Sequence, residues 1–121
     1  MEQCMDNIEI FSRCDIGIMT DEEKKLIDNV RDAYNSRTKV GCTKCGYCMP
    51  CPNGVDIPGT FEIWNKLFLY DSKLSGNDRY AKYIKEEKDA SRCIECGACE
   101  GVCPQKIQII DMLKKADSEM R

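Results

Sequence analysis

The chain contains no histidine. Any transition-metal site must then rest on thiolate, with carboxylate as a poor substitute. That excludes mixed Cys/His zinc fingers and centres that need imidazole ligands, and it removes the side chain best suited to acid–base work at neutral pH. Long apolar runs are missing too: nothing approaches the roughly 20 residues that span a bilayer. No basic stripe is present to track a nucleic-acid backbone; 18 Lys and Arg are interspersed with 21 Asp and Glu, for a formal charge of −3. The opening residues Met1-Glu2-Gln3-Cys4-Met5 lack the basic and apolar regions of a secretory signal. A reducing, cytoplasmic setting is therefore expected, with neither membrane nor nucleic acid as partner.

Cysteine, by contrast, is abundant. There are ten in 121 residues, about 8% of the chain and far above ordinary globular usage. Disulfide scaffolds reach that level, as do proteins that bind metals or clusters. In a reducing compartment thiols remain free for metals.

The periodicity is helical throughout, with no convincing two-residue alternation, so the fold class is all-α. Met1, Cys4, Met5, Ile8 and Phe11 recur at helical spacing, with Cys4 on the apolar face. A loop from Ser12 to Met19 follows. Thr20 and Glu23 form a capping box for a helix carrying Leu26, Ile27, Val30, Ala33 and Tyr34. Asp56 can cap a helix that runs through Pro58 to about Tyr70, with Phe61, Trp64, Leu67 and Phe68 inward. Ser75-Gly76-Asn77 reads as a turn, and a helix from about Asp78 to Lys88 then presents Tyr80, Tyr83 and Ile84. The last helix spans about Lys106 to Ser118 and carries Ile109, Met112, Leu113 and Ala116. Lys24-Lys25 and Lys114-Lys115 read as solvated faces.

One internal repeat stands out. Cys42-Thr-Lys-Cys45-Gly-Tyr-Cys48-Met-Pro-Cys51-Pro52 matches Cys93-Ile-Glu-Cys96-Gly-Ala-Cys99-Glu-Gly-Val-Cys103-Pro104. The second run is C-x2-C-x2-C-x3-C-P, the ligation pattern of bacterial two-cluster ferredoxins. A cubane needs four thiolates around an object several ångströms across. Three cysteines at this spacing wrap three corners from one short loop. The fourth cannot reach the remaining corner and serves the other cluster. Gly46 and Gly97 suit the positive φ and close backbone approach of such a loop. One [4Fe–4S] cluster is thus expected on Cys42, Cys45, Cys48 and Cys103, and the other on Cys93, Cys96, Cys99 and Cys51. Two clusters would move the formal charge from −3 to about −7 and favour partners with a basic docking face.

The first run is one residue short between Cys48 and Cys51, which reads as a tighter exit turn shaped by Pro50 and Pro52. Paired four-cysteine zinc sites are the main rival, although zinc knuckles usually hold two CxxC pairs well apart. Thioredoxin-like chemistry lacks its βαβ context. Cys4 and Cys14 stand outside both motifs: Cys4 reads as a packed helical residue and Cys14 as incidental. Trp64 reads as core, and Tyr47 and Met49 as shields over a cluster.

At 41–58, GCTKCGYCMPCPNGVDIP, and at 92–107, RCIECGACEGVCPQKI, the chain resembles the C-terminal ferredoxin-like domain of an iron–sulfur branch of the aldo/keto reductases. The resemblance implies a helical domain with two [4Fe–4S] clusters at residues 41–121. Residues 1–40 would then be a helical linker from the end of a catalytic (β/α)8 barrel. NADPH and the family's Asp, Tyr, Lys and His catalytic set would belong to that barrel. Without histidine the set cannot be here, so no residue of this chain is expected to be catalytic. What is expected is an electron-relay part of a larger oxidoreductase, exchanging electrons with the barrel or with a donor or acceptor protein. The alternative is a metal-stapled interaction module with no redox role. A helix at Met1–Phe11 without its packing partner is expected to be exposed or covered in a dimer.

Overall fold

The computed structural model describes residues 2–71 and 73–121, with side chains for all of these except 73–77. The described residues form α1 (Glu2–Ser12), α2 (Asp21–Arg37), α3 (Ile57–Leu69), α4 (Lys73–Lys85), α5 (Ala98–Gly101) and α6 (Ile109–Met120). A 3₁₀ turn, Ala90–Arg92, precedes the second cysteine motif. There is no strand among the described residues. The chain divides into two units, Met1–Ala33 and Tyr34–Arg121.

The first unit holds α1 and most of α2. Its capping box forms as the sequence suggests: the Thr20 amide donates to Glu23 Oε2 at 2.7 Å and the Glu23 amide to Thr20 Oγ1 at 3.2 Å. Asp21, Glu22 and Glu23 sit in the first turn of α2, where the helix dipole favours negative charge. None of the residues of α1 or α2 is buried. Ile8 and Leu26 each keep 62% of their surface. The expectation that Cys4 is packed is therefore corrected: Cys4 is exposed, because no second layer in this unit covers the apolar face of α1. Met1, part of that expected stripe, lies outside the described residues.

The second unit has a core, built on α3 and α6. Ile57, Phe61, Trp64 and Leu67 of α3 are buried with Ile109, Leu113, Ala116 and Met120 of α6, and Tyr80 of α4 closes the cluster. These positions follow the 3.6-residue period, so burial selects the helix face that the sequence marks as apolar. Phe68 and Met112 lie half-buried at its edge.

The start of α3 is set by polar chemistry. Asp56 accepts from the Gly59 amide at 3.0 Å, and Pro58 sits in the first turn, where a missing N–H costs nothing. The other Asp56 oxygen accepts the Tyr83 hydroxyl of α4 at 2.8 Å. Burial first, and then the bond to Asp56, pushes the Tyr83 hydroxyl up to about 12.

Two helix boundaries differ from the sequence expectation. α4 begins at Lys73 and runs through Ser75, Gly76 and Asn77, which were expected to form a turn. Gly inside a helix costs only about 1 kcal/mol, and packing of α4 on α3 around buried Tyr80 outweighs it. The same helix stops at Lys85 rather than Lys88. Glu87 adopts φ +54°, the Lys88 amide reaches back to the Tyr83 carbonyl at 2.9 Å and the Glu87 amide to Ile84 at 3.1 Å. This is a Schellman ending made without glycine. α6 begins at Ile109, not Lys106, because Lys106 at φ +51° closes a turn onto Cys103.

Gly59 is hemmed in by the Asp56 carboxylate and the Tyr83 hydroxyl, and a Cβ there would overlap both. Gly59→Ala is expected to cost about 1–3 kcal/mol, the usual range for overpacking. Denaturant unfolding of the purified chain checks this; an unchanged midpoint would show that the Asp56–Tyr83 contact yields freely.

Candidate cluster-binding site

Each cysteine motif forms a loop bent by two left-handed residues. In the first, Lys44 (φ 59°) and Gly46 (φ 81°) flank Cys45; in the second, Glu95 (φ 58°) and Gly97 (φ 74°) flank Cys96. Glycine takes this conformation freely, while Lys44 and Glu95 do so at a cost of roughly 1 kcal/mol each. The glycines carry a signal in the sequence; the lysine and glutamate do not. A turn closes each loop, with Met49 bonded back to Gly46 at 2.9 Å and Glu100 to Gly97 at 3.1 Å.

The repeat extends well beyond the cysteines. After Cys51 the chain turns so that Gly54, at φ +79°, donates to the Cys51 carbonyl at 3.0 Å. After Cys103, Lys106 donates to the Cys103 carbonyl at 3.1 Å. Asp56 then caps α3 and Gln108 occupies the same place before α6. Ile57 and Ile109, the first residues of these helices, are both 1% exposed. The inserted residue of the second motif is taken up in the short helix α5. The shorter first motif has a cis Met49–Pro50 peptide in its place.

The two loops meet at two cavities. One, of about 20 Å³, is lined by Cys42, Cys45, Cys48 and Cys103, with Phe61 and Ile109 behind them. The other, of about 190 Å³, is lined by Cys93, Cys96, Cys99 and Cys51, with Val55 and Leu113 behind them. Cys48 and Ile57 border both, so the cavities are neighbours with a shared wall. Tyr47, Met49, Ile94 and Val102 line the mouth of the larger one with their side chains exposed. Cys4 and Cys14 line neither; Cys14 is exposed, its thiol 3.4 Å from the Ile10 carbonyl. Among the described residues, no three Cys, Asp or Glu side chains converge closely enough to hold a single metal ion. Four thiols from two segments, spread around an apolar hollow, suit a multi-atom cluster of soft metal and sulfide.

Electrostatics follow from that setting. Burial pushes the Cys99 thiol up to about 11, with the Glu100 carboxylate and then Cys93 and Cys48 adding to it. Burial also raises the Cys48 thiol, reinforced by Cys42, Cys103 and Cys45. Metal is the natural partner for such thiols, since it replaces the proton and supplies the missing positive charge.

The loops are held by side chains that sequence patterns do not mark. Asn65 of α3 accepts from the amides of Lys39 and Val40 at 2.9 and 3.0 Å and donates to the Val40 carbonyl at 2.8 Å. This fixes the approach to Cys42. Before Cys93, the Ala90 amide donates to the Tyr80 hydroxyl at 3.1 Å, and that hydroxyl donates to Asp117 at 2.5 Å. Arg121 bridges Asp117 and buried Asp89 at 2.9 Å each. Asn53, just after Cys51, donates to the Arg92 carbonyl and so ties the first motif's exit to the second motif's entrance. Lys114, expected on a solvated face, pairs with Glu95 at 2.8 Å.

A family model described as a 4Fe-4S dicluster domain matches residues 41–107, both motifs and α3 and α4 included. A probable glycolate oxidase iron–sulfur subunit of Bacillus subtilis (strain 168) is 27% identical over 101 residues, covering 80% of this chain and 22% of that protein. The acetyl-CoA decarbonylase/synthase complex subunit alpha 1 of Methanosarcina mazei is 31% identical over 65% of the chain and 8% of its own length. The corresponding subunit of Methanosarcina acetivorans is 33% identical over 61% of the chain and 8% of its own length. The chain thus spans less than a quarter of the length of these curated relatives. No solved structure matches it. Among the described residues, no helix is long and apolar enough to cross a membrane. With its paired motifs, no strand among its described residues and a family match over more than half its length, the chain belongs to the 4Fe-4S dicluster domain family.

Proposed function

We propose that this chain is an electron relay. In it, Cys42, Cys45, Cys48 and Cys103 hold one [4Fe–4S] cluster, and Cys93, Cys96, Cys99 and Cys51 hold the other. One observation carries the reading: each cavity gathers three cysteines of one motif with the last cysteine of the other, and Cys48, which belongs to the first set, also borders the second cavity. When bound, the clusters supply reversible one-electron storage. The protein's own part is to hold and insulate. Phe61, Ile109 and Ile107 wall the first site, while Val55, Ile110 and Leu113 wall the second. These walls limit the water that reaches the inner face of each site, on which the potential depends, while Cys45 and Cys96 stay exposed on the outer side. The shared wall of Cys48 and Ile57 keeps the two sites adjacent.

The relay serves a larger oxidoreductase, whose substrate chemistry lies on another domain. Two observations support this. The motifs resemble the ferredoxin-like domain of iron–sulfur aldo/keto reductases, in which an NADPH-binding barrel does the chemistry. The relatives found are iron–sulfur or complex subunits several times longer than this chain.

Anaerobic reconstitution of the purified chain with iron and sulfide is expected to give about eight irons per chain and a broad visible band that bleaches with dithionite and returns in air-free oxidant. Zinc without that band, or a band that does not bleach, would reduce the chain to a metal-stapled module. Iron counts on paired variants test the ligand sets. Cys51→Ala should lose about four irons, one cubane's worth, and adding Cys96→Ala should remove no more. Adding Cys45→Ala to Cys51→Ala should instead remove nearly all. The reverse pattern would assign Cys51 to its own motif.

A further inference from the structure

The two halves of the repeat carry one side-chain pair at matching places with the charges exchanged. Lys44, between Cys42 and Cys45, meets Glu62 of α3 at 2.5 Å. Glu95, between Cys93 and Cys96, meets Lys114 of α6 at 2.8 Å. Lys44 and Glu95 share the left-handed conformation of their loops. Glu62 and Lys114 stand at the same turn of α3 and α6, counted from Ile57 and Ile109. Exposed pairs of this kind contribute little to stability. Inverting their sign leaves the clamp intact but reverses the charge that each loop carries.

The surroundings extend the contrast. Near the first cavity, Glu62 is outnumbered by Lys44, by Lys66 at 2.6 Å, and by Lys106 in the turn after Cys103. Lys44, then Lys66, holds the Glu62 carboxyl down at about 2. Near the second, Glu95 is joined by Glu100, whose carboxylate accepts the Ile110 amide at 2.9 Å, and by Asp111 in the first turn of α6. Lys114 and Arg92 oppose them, and Arg92 is itself paired with Glu87 at 3.3 Å. Asp56 lies between Val55, which lines the second cavity, and Ile57, which borders both; its counterpart Gln108, between Ile107 and Ile109 at the first, is uncharged. Both cavities have apolar walls, so desolvation acts on both, while the charge sets differ in sign.

We propose that this exchange of charge ranks the two sites. A single electron from a one-electron donor settles first at the site of Cys42, Cys45, Cys48 and Cys103, and the site of Cys93, Cys96, Cys99 and Cys51 is harder to reduce. The transfer adds one negative charge and breaks no bond; positive charge at Lys44, Lys66 and Lys106 favours it, and Glu95 and Glu100 oppose it. The inference rests on the relay reading above.

The test is an anaerobic reductive titration of the reconstituted chain, followed by electron paramagnetic resonance. The wild type should reduce in two waves. The variant Lys44→Glu/Glu62→Lys/Lys66→Ser gives the first half the side chains that the second half has at Glu95, Lys114 and Ser118. It should lower the upper wave on the order of tenfold, or ~59 mV for a one-electron couple, and leave the lower one in place. Glu95→Gln, a milder change, should raise the lower wave alone. A shift of the lower wave by the first variant, or of the upper wave by the second, overturns the ranking, as does no shift in either. A wild-type chain that takes up no iron overturns the relay reading itself.

Discussion

Each of the two cavities is lined by thiols from both cysteine loops. The rest of the second unit follows from that constraint. For this the two motifs, 51 residues apart in sequence, have to be brought face to face. α3 and α6 do this. Each begins six residues after the last cysteine of a motif, and each buries its first isoleucine in the common core. α4 then lies against both, and its Tyr80 fixes the backbone just before Cys93. The core therefore serves to hold two segments at a fixed separation, and the apolar side chains that stabilise it also wall the cavities.

Much of this was legible in the sequence, because cysteine spacing and helical periodicity are strong signals. The ligand candidates Cys42 to Cys51 and Cys93 to Cys103 stand out by composition alone. Phe61, Trp64, Leu67, Leu113 and Ala116 stand out by period, and all are buried. Asp56 could be named as a cap because acid-before-proline has a local mechanism. The failures were of another kind. Ser75-Gly76-Asn77 carries turn chemistry, but the energy at stake is small beside the packing of the helix it sits in. Lys106 and Glu87 take left-handed backbone without being glycine, so no residue type announced those ends. Asn65, Glu62 and Lys114 act across 18 to 26 residues of sequence, beyond the reach of any local pattern. Cys4 failed for the opposite reason: its helix is amphipathic as read, but amphipathicity specifies a face and not its cover.

The first unit shows the same limit. α1 and α2 have good local signals, a formed capping box and i to i+3 ion pairs such as Arg31 with Asp28 at 2.7 Å. Yet their apolar stripes stay in water. Isolated helices of this length are marginal on local terms alone, so local consistency and tertiary burial are separate properties. The second unit has both, with its polar groups tied into networks around Asp56, Asp89 and Asp117.

The halves of the repeat also differ at one core position in a way that bears on how such a chain assembles. Trp64 of α3 and Ala116 of α6 occupy matching turns, and both are buried in the same cluster. A wide side chain in one half thus coexists with a minimal one in the other. The two helices thus present unlike side chains to the core at this position. A sequence that looks like a doubled motif therefore behaves as a matched pair, whose halves are complementary and not interchangeable.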